Sequence, residues 1–430
     1  MNFWIIAIGE PISEDIGTPR LLRAGMLSSQ IAASGIDVTW WNSSFDHTQK
    51  VVRNVTNNQG IKSSSYSLRL LKGRPYRSNV SIARIHNHLE VASDFSRCAT
   101  AEVSPDLIFV AYPTIELCES ALAYARPRDI PVVVDIRDLW PDIFVNLFPR
   151  WAQWLARILL TPFFRSSKRV LIGANAITGI TDSFVDWGVK RAARPRHEWD
   201  RAFPLAYKAQ LADSNKIDAS RAHWDSLGLG ADKPIVCFFG TLGRQFDIPC
   251  VIEAARHLVD VPLQFVICGS GERLAEFRQL AIDLPNVHFP GWVDAPAINA
   301  LMERSLAGLA PYYNEMSFTL SLPNKVIEYL AGGLPIVSTL SGELANLLNT
   351  NECGVTTTQG DSQSLSAALR NLLTDPMGRE KMAKNARDLY KRQFMSEVVY
   401  GQLIDHLSLI ATQHRQGQKP ISLARLKNPY

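Results

Sequence analysis

Lys325 and Glu328 lie three residues apart, which places both on one face of the helix predicted over Asn324–Ala331. A helix start offers backbone N–H groups and the positive end of the helix dipole, so Asn324 and Lys325 form a candidate site for a diphosphate. The Glu328 carboxylate could accept hydrogen bonds from the two hydroxyls of a ribose. The alternative is an exposed lysine–glutamate pair on a helix surface.

Turn-forming residues bound this predicted helix. Ser321 is the expected N-cap, Pro323 suits a first helical turn, and Gly332-Gly333 ends the helix before a strand over Pro335–Thr339. The helix is therefore short, and its N-terminus is expected to face a cleft.

Two glycine-bounded loops follow predicted strands in the same half of the chain. Gly240, Gly269 and Gly271 are expected to let the backbone approach a ligand closely. Arg244 could bind the same diphosphate through charge-assisted hydrogen bonds. The alternatives are loops that bind nothing and an Arg244 side chain paired with Asp247.

In the N-terminal half, polar residues follow the predicted strand Val132–Ile136. Side chains at the carboxyl end of such a strand point into a cleft, so Arg137 or Asp138 could contact a transferred sugar or an acceptor hydroxyl. The alternative is a buried ion pair that closes the strand.

The loop Glu10–Pro19 is a second cleft element, with Gly17 just ahead of a predicted helix. Arg20 and Arg23 follow it. They are candidates for binding an acceptor phosphate, and solvated helix charges are the alternative.

Several other chemistries are not favoured. The sequence contains no Asp-x-Asp, the simplest arrangement for holding Mg²⁺ against a nucleotide diphosphate, so leaving-group charge would fall to Lys325, Arg244 and the helix dipole. His86-Asn87-His88 lacks further ligands at zinc spacing. The hydrolase Gly-x-Ser-x-Gly elbow and the phosphate-binding Gly-x-x-x-x-Gly-Lys loop are missing as well.

The stretch Trp151–Phe164 is apolar and aromatic, and arginines and lysines flank it at positions 150, 165, 168 and 169. This composition is typical of a helix lying in an anionic membrane interface. An ordinary helix packed on the N-terminal sheet is the alternative.

The elements that position these residues follow from length and pattern. A chain of 430 residues is longer than one core usually supports, and short apolar runs alternate with helical stretches in both halves. We predict an α/β fold of two Rossmann-like, doubly wound parallel-sheet domains facing across a cleft, with domains over 1–200 and 201–393. The polar, basic region Arg53–Arg84 is expected to be loops.

Composition limits the partners and the compartment. The net charge of +4 is small for this length and argues against nucleic acid as a partner. Six scattered cysteines read as buried thiols of a cytoplasmic protein. No run approaches the 18 to 20 apolar residues, roughly, of a membrane span, and the N-terminus reads as a strand, so membrane contact is expected to be peripheral.

The pattern as a whole resembles the family 4 glycosyltransferases of GT-B architecture. Within them it is most similar to the bacterial branch that builds surface polysaccharides such as O-antigen, capsule and exopolysaccharide. The resemblance covers nearly the whole chain. It is carried by these segments: Ala33–Thr39, Asp135–Pro141, Gly240–Phe246, Gly269–Gly271 and Pro323–Glu328.

The resemblance implies transfer of a hexose-type sugar from a nucleotide-sugar substrate, by preference a UDP-sugar, with retained anomeric configuration and no bound metal or cofactor. Glu328 would hold the donor ribose, and Arg244 and Lys325 the diphosphate. It also implies a polyprenyl-diphosphate-linked acceptor at the inner face of the cytoplasmic membrane, which fits Trp151–Phe164. A final helix over about 394–415 would pack back on the first domain.

The sequence departs from the family pattern at two positions. The first of the family's paired glutamates is replaced by Leu320, which leaves the donor sugar open, and Arg137 stands where a histidine is common. A nucleotide-sugar 2-epimerase of the same architecture is one alternative, although it would need acid–base groups around C2. A catalytically silent nucleotide-sugar-binding subunit is another, because a fold does not secure a function.

Overall fold

Short buried apolar runs form parallel strands along the chain, and the amphipathic segments between them form helices. The computed structural model describes residues 1–15, 20–53, 61–62, 66–78, 81–146, 148–208, 214–230 and 232–423. The chain divides into two units, one of Met1–Pro204 with Val399–Tyr430 and one of Leu205–Val398.

The strands of the first unit are β1 Asn2–Ile6, β2 Asp37–Ser43, β3 Phe45–Asp46, β4 Val51–Val52, β5 Ile61–Lys62, β6 Ser67–Leu71, β7 Leu107–Tyr112, β8 Val132–Ile136, β9 Ala176–Gly179 and β10 Arg201–Ala202. Its helices are α1 Arg23–Ala33, α2 Ile82–Cys98, α3 Ile115–Ala125, α4 Asp142–Val145, α5 Gln153–Leu159, α6 Thr161–Gly173 and α7 Asp182–Arg191, with 3-10 turns at Ala99–Ala101, Arg126–Arg128 and Arg150–Ala152.

Eight of these strands form one sheet in the order β10-β9-β8-β7-β1-β2-β6-β5, with only the β5–β6 pair antiparallel, while β3 and β4 pair separately. The strand β1 has β2 on one side and β7 on the other, so sheet growth reverses there. In open α/β sheets ligands bind outside the carboxyl ends of the strands at such a reversal. The residues that follow β1, β7 and β8 are therefore well placed for binding.

The second unit contains the strands β11 Ile235–Phe239, β12 Gln264–Cys268, β13 Val287–Gly291, β14 Ser305–Ala310, β15 Ile336–Ser338 and β16 Gly354–Thr356. Its helices are α8 Ser214–Ser226, α9 Ile248–Arg256, α10 Leu274–Leu280, α11 Ala295–Arg304, α12 Met316–Thr319, α13 Asn324–Gly332, α14 Glu343–Asn351, α15 Ser362–Thr374 and α16 Pro376–Gln393. The sheet order is β13-β12-β11-β14-β15-β16, and every pair is parallel.

The last helix, α17 Ser396–Arg415, runs from the end of the second unit into the first. Its later residues contact the first unit, where His406 Nε2 lies 2.9 Å from the Trp199 carbonyl oxygen and Arg415 forms an ion pair with Asp106. These contacts hold the C-terminal helix on the first sheet's unit.

The predicted α/β class with two doubly wound parallel sheets is confirmed. One local prediction is wrong: Ser67–Leu71 is a strand paired with β2, not a loop. Leu68 and Leu71 of this strand are buried, while Arg69 is held by Glu102 at 2.6 Å. Arg69 made the segment look polar, and its partner Glu102 lies too far along the sequence for a local pattern to reveal the pairing.

Two expectations concerned the cysteines, as buried thiols, and the lack of a membrane-spanning segment. All six cysteines are free thiols, and all are buried except Cys98, which is partly exposed. Among the helices that the structure describes, none has the length and apolar character needed to cross a bilayer.

Candidate active site

The helix α13 begins at Asn324, where Pro323 adopts extended backbone angles and no side chain caps the first turn. Ser321, the predicted cap, instead directs its hydroxyl toward the Phe318 carbonyl oxygen at 3.4 Å, so that prediction is wrong. Gly333 ends the helix in the left-handed region at φ 67°, as glycine permits. The α13 N-terminus is thus open to an external acceptor such as a phosphate oxygen.

Lys325 lies in a cage of aromatic rings. Its Nζ is 3.4 Å from the centroid of the Phe238 ring, 3.9 Å from that of Phe246 and 5.5 Å from that of Tyr312. The side chain is only 7% exposed, and Nζ has no hydrogen-bond partner. The alternative of an exposed lysine–glutamate pair is therefore wrong, because this amine is buried.

Burial also sets the protonation of this lysine. Desolvation lowers the pKa of Lys325 well below its usual value, although the nearby charge of Glu328 opposes the shift. A buried donor without an acceptor costs free energy until something supplies one. An anion at the start of α13 would provide both the acceptor and the counter-charge.

Gly240 gives the lysine its space. A Cβ on Gly240 would lie 3.2 Å from Lys325 Nζ, and φ there is +149°, which side chains rarely adopt. A larger residue would therefore crowd the amine and strain the loop after β11.

The other two predicted glycines serve the packing of two loops. A Cβ on Gly269 would lie 1.8 Å from the Gly240 carbonyl oxygen, and one on Gly271 would lie 2.3 Å from that of Leu242. The Leu242 amide also donates to the Ser270 carbonyl oxygen at 2.8 Å. The close approach seen in the structure is thus between the loops after β11 and β12, and it fixes the position of Gly240.

Arg244 extends from the first of these loops. It is 86% exposed, and its Nε lies 3.1 Å from Glu272 Oε1. Asp247, the alternative partner, accepts from the Cys250 amide at the start of α9, so pairing with Asp247 is wrong. An exposed ion pair of this kind is weak, which leaves Arg244 able to exchange partners.

Glu328 lies one turn after Lys325 on α13 and is half-buried. Its charge acts on both Lys325 and Tyr312, where burial first and then Glu328 raise the pKa of the Tyr312 phenol. Leu320, which replaces the family's first glutamate, follows α12 and is also half-buried.

In the first unit, Arg137 belongs to a buried network of two arginines and two acids. Its Nε lies 2.9 Å from Asp135 Oδ2, and its Nη1 pairs with Glu10. Burial opposes ionisation of Asp135, yet Arg23 and Arg137 together lower the pKa of Asp135 to about 2. Arg137 thus takes part in the ion pair weighed as the alternative, while its buried Nη2 has no hydrogen-bond partner.

Arg23 is the second arginine of this network. It is 3% exposed and holds Asp135 at 2.9 and 3.1 Å, and its third donor reaches the Pro204 carbonyl oxygen. Both interpretations of Arg23, as a free phosphate ligand and as a solvated helix charge, are therefore wrong, because its donors are committed inside the unit.

Asp138 follows Arg137 and is not part of the network. Burial raises the pKa of the Asp138 carboxyl, and its Oδ1 accepts from the Leu139 amide at 2.8 Å. Gly17 lies outside the described residues. Arg20, three residues before Arg23, lies on an exposed part of the chain.

The stretch Trp151–Phe164 is not one helix. A 3-10 turn at Arg150–Ala152 leads into α5, and α6 begins after Leu160. Ala152 and Ala156 are buried, while Trp151 and Trp154 are 78% and 64% exposed. The stretch therefore packs on the unit through small residues and presents its large apolar side chains outward.

The aromatic cage was not anticipated. Phe238 belongs to β11, Phe246 to the loop after it, and Tyr312 follows β14, so three separated segments meet around one amine. Aromatic residues at the ends of neighbouring predicted strands were the available signal. Across the described ranges, no cluster of three or more His, Cys, Asp or Glu side chains could hold a metal ion.

Residues 233–375 match the family described as "Glycosyl transferases group 1". The chain is 27% identical over 240 residues to the lipopolysaccharide core biosynthesis glycosyltransferase LpsE of Rhizobium meliloti (strain 1021). That match covers 55% of this chain and spans 63% of the relative's length.

The fold is similar to that of solved structures over almost the whole chain. Sucrose-phosphate synthase of Thermosynechococcus elongatus superposes with a TM-score of 0.68 at 18% identity, covering 96% of this chain and 99% of that one. HepE of Anabaena, in complex with UDP, superposes with a TM-score of 0.65 at 15% identity, covering 95% and 99%. Residues 233–375 therefore form a group 1 glycosyltransferase domain, in a chain that has the fold of the GT-B glycosyltransferases.

Proposed function

We propose that this chain is a retaining, metal-independent glycosyltransferase that moves a sugar from a nucleotide-sugar donor to a polyprenyl-diphosphate-linked glycan in the synthesis of a surface polysaccharide. The observation that carries the proposal is the buried amine of Lys325, which lacks an acceptor at the open N-terminus of α13. A nucleotide diphosphate supplies the missing negative charge and acceptor oxygens.

The donor assignment has support from two sides. Lys325 and the α13 N-terminus are expected to hold the diphosphate, with Asn324 at the first turn and Arg244 exchanging Glu272 for a phosphate oxygen. Glu328, on the same helix, is expected to hold the ribose hydroxyls. The similar fold of HepE was solved in complex with UDP, which favours a UDP-sugar as the donor.

The chemistry asked of these groups is stabilisation of a leaving group. When the bond between the anomeric carbon and the diphosphate breaks, negative charge grows on the departing nucleotide, and a fixed cation and helix dipole stabilise it. The acceptor hydroxyl oxygen then bonds to the anomeric carbon and loses its proton. The raised pKa of Asp138 suits a carboxylate that accepts a proton, and Arg137 Nη2 offers a hydrogen bond to a sugar hydroxyl.

Acceptor class and location rest on the surface of the first unit and on the relatives. The exposed tryptophans at 151 and 154, with arginines at 150 and 157, suit a peripheral contact with the anionic inner face of the cytoplasmic membrane. The relative from Rhizobium is a lipopolysaccharide core glycosyltransferase, which favours a surface glycan as the product. That relative is described as a glycosyltransferase, which does not favour the 2-epimerase or the silent-subunit alternative.

Donor binding is tested by thermal shift and calorimetry with UDP, GDP, TDP and inorganic diphosphate, because a ligand of the folded state raises its stability. Glu328→Gln should weaken UDP about tenfold and leave inorganic diphosphate unchanged, since UDP carries a ribose and inorganic diphosphate does not. Glu380→Gln, an exposed glutamate on α16, is the matched control. Equal losses for both ligands would remove Glu328 from the ribose site.

Transfer is tested with a UDP-sugar panel and a polyprenyl-diphosphate-linked sugar, with and without EDTA. Turnover should persist in EDTA, and NMR of the product should show the anomeric configuration of the donor. Loss of activity in EDTA would overturn metal independence, and an inverted anomer would overturn retention. Conversion of the donor without acceptor would restore the epimerase alternative.

A further inference from the structure

The last helix of the chain contributes a buried phenol to the first unit. Tyr400 lies on α17, in the part of that helix that belongs to the first unit, and its side chain is fully buried. Among the residues that the structure describes, its hydroxyl has no hydrogen-bond partner. A buried hydroxyl without a partner costs free energy, so a polar group from outside the chain would stabilise it.

This phenol lies beside the buried network of two arginines and two acids. Burial raises the pKa of the Tyr400 phenol. The positive charges of Arg23 and Arg137 oppose that shift, because they favour the phenolate. The negative charges of Glu10 and Asp135 add to it. All four charges of the network therefore act on this one hydroxyl group.

Packing contacts hold α17 against the same part of the unit. The ring of His406, further along α17, lies 5.3 Å from that of Phe203. The next residue, Pro204, accepts a hydrogen bond of 2.9 Å from Arg23 Nη1. The Phe203 amide donates to the Gly179 carbonyl oxygen, at the end of β9, at 2.8 Å. The helix, this short segment and the network are therefore packed as one block.

The carboxylate at the centre of the network has no room for another donor. Asp135 Oδ2 accepts from Arg23 Nε and Arg137 Nε, both at 2.9 Å. Its Oδ1 accepts from Arg23 Nη2 at 3.1 Å and from Thr178 Oγ1 at 2.9 Å, so each oxygen has two donors. Arg137 Nη2 is buried without a partner. Two donors, this nitrogen and the Tyr400 hydroxyl, thus remain beside a saturated carboxylate.

The charge of the network indicates the kind of partner. Its two arginines and two acids balance, so the site has no surplus charge to attract an ion. A sugar hydroxyl is uncharged, and its oxygen accepts hydrogen bonds from both an N–H and a phenol. The Arg137 side chain is 18% exposed, which leaves this part of the network accessible from solvent. Arg137 also follows β8 at the carboxyl edge of the sheet, where open α/β sheets bind ligands.

We propose that Tyr400 binds a sugar hydroxyl together with Arg137, so that the last helix supplies a binding residue to the sugar site of the first unit. The proposal rests on the proposed function and deepens it, because it adds a residue that lies far along the sequence from the predicted site. The hydroxyl belongs to the transferred sugar of the donor or to the sugar of the acceptor, and the same hydrogen-bond chemistry serves both.

The first test is the thermal stability of Tyr400→Phe without ligand. Removing an unpartnered hydroxyl should leave Tm unchanged or raise it. Tyr112→Phe is the matched control, because the buried Tyr112 hydroxyl donates to Ser167 Oγ at 2.8 Å. This control should lower Tm by about 3 °C. An equal fall in Tyr400→Phe would show that its hydroxyl is already satisfied without a ligand, and would overturn the proposal.

The second test is calorimetry on the full chain with two pairs of probes that differ by one sugar. The donor pair is UDP and UDP-glucose, and the acceptor pair is farnesyl diphosphate and farnesyl-diphosphate-linked N-acetylglucosamine. Tyr400→Phe should weaken the sugar-bearing member of one pair about fivefold and leave its sugar-free member unchanged. The pair that responds identifies the source of the hydroxyl. Tyr112→Phe should leave all four affinities unchanged.

The remaining outcomes separate this inference from the proposed function. Equal weakening of both members of a pair would indicate a structural role for Tyr400 and overturn its role in sugar binding. Unchanged affinity for both sugar-bearing probes would overturn it as well, and would assign the hydroxyl to an ordered water. Failure of the unsubstituted chain to bind UDP would count against the proposed function. Normal UDP binding without a sugar-dependent loss in Tyr400→Phe would count against this inference alone.

Discussion

Replacing Lys325 with methionine removes the amino group and keeps a flexible apolar chain among Phe238, Phe246 and Tyr312. In the unliganded protein this change should be stabilising. A buried polar group without a partner costs roughly 1–3 kcal/mol, while a cation–π contact returns roughly 0.5–2 kcal/mol and only when the amine is charged. Because burial lowers the pKa of Lys325 well below its usual value, the charged form is disfavoured. The cost of burying the unpartnered amine therefore exceeds the gain from the cation–π contact.

The same change should weaken the nucleotide. A hydrogen bond to a charged group contributes roughly 1.5–3 kcal/mol, which corresponds to a loss of about tenfold to a hundredfold in UDP affinity. Methionine also contacts aromatic rings favourably, by roughly 0.3–1.5 kcal/mol. We therefore expect Lys325→Met to be more stable by about 1 kcal/mol and yet a poor UDP binder.

Urea unfolding followed by circular dichroism gives the stability, and calorimetry gives the UDP affinity. Lys391→Met, an exposed lysine on α16, is the control and should change neither quantity. A lysine with a purely structural role would behave in the opposite way. Unchanged UDP affinity in Lys325→Met, or a stability loss above about 1 kcal/mol, would refute the reasoning.

The pH dependence of this pair of proteins has a definite sign. The folded-state pKa of Lys325 lies below the unfolded value near 10.5, so between those two values the unfolded chain binds the extra proton and stability rises with pH. The stability advantage of Lys325→Met should therefore shrink as the pH rises toward about 10.5. UDP binding should take up a proton in the unsubstituted chain and not in the variant, as calorimetry in buffers of different ionisation enthalpy would show.

Three further changes probe the surrounding structure. Asp135→Asn should lower the free energy of unfolding of the first unit by roughly 3–5 kcal/mol, because two buried arginines lose their counter-charge. In the unsubstituted chain, ionised Asp135 contributes about 2 kcal/mol to that free energy, and this contribution should be lost as the pH falls from about 4 to about 2. Gly269→Ala places a Cβ 1.8 Å from a backbone oxygen and should cost more than about 3 kcal/mol in urea unfolding, whereas Gly360→Ala, also at positive φ but with nothing within 4 Å, should cost only the backbone strain of about 1 kcal/mol. Arg244→Ala should leave stability within about 0.5 kcal/mol because the residue is exposed, while UDP affinity measured by calorimetry should fall about tenfold.

Most strands and helices could be predicted because each has a local pattern of apolar residues in the sequence. Val132–Ile136 is apolar except for Asp135, and it is a strand with the predicted bounds. The strand Ser67–Leu71 was not predicted because Arg69 at its centre makes the segment look polar. The charge of Arg69 is neutralised by Glu102, which lies 33 positions later in the sequence. Local pattern cannot report a partner that only the fold supplies.

In the candidate site, too, local features could be predicted from the sequence, whereas contacts between distant segments could not. The position of Lys325 at a helix start could be read from its proline and glycine neighbours, and that helix is present. Its burial could not be predicted, because the rings around it belong to β11, to the loop after β11 and to the end of β14, and only the fold brings them to the amine. Likewise Arg23 and Asp135 are separated by 112 positions, so nothing local distinguishes this buried pair from a solvated arginine.

The buried charges of the two units differ in a way that separates their expected ligands. In the first unit, Arg23 and Arg137 are balanced by Glu10 and Asp135, so the donor left over on Arg137 Nη2 offers a hydrogen bond without surplus charge. Such a donor matches an uncharged sugar hydroxyl, since an anion there would add to two carboxylates already present. Lys325 has no hydrogen-bond acceptor in its cage, and the rings around it compensate a charge only weakly. An anion gains most where a buried amine lacks an acceptor and can take up a proton on binding, and for that reason we expect the diphosphate at α13 and the neutral sugar or acceptor hydroxyl at Arg137.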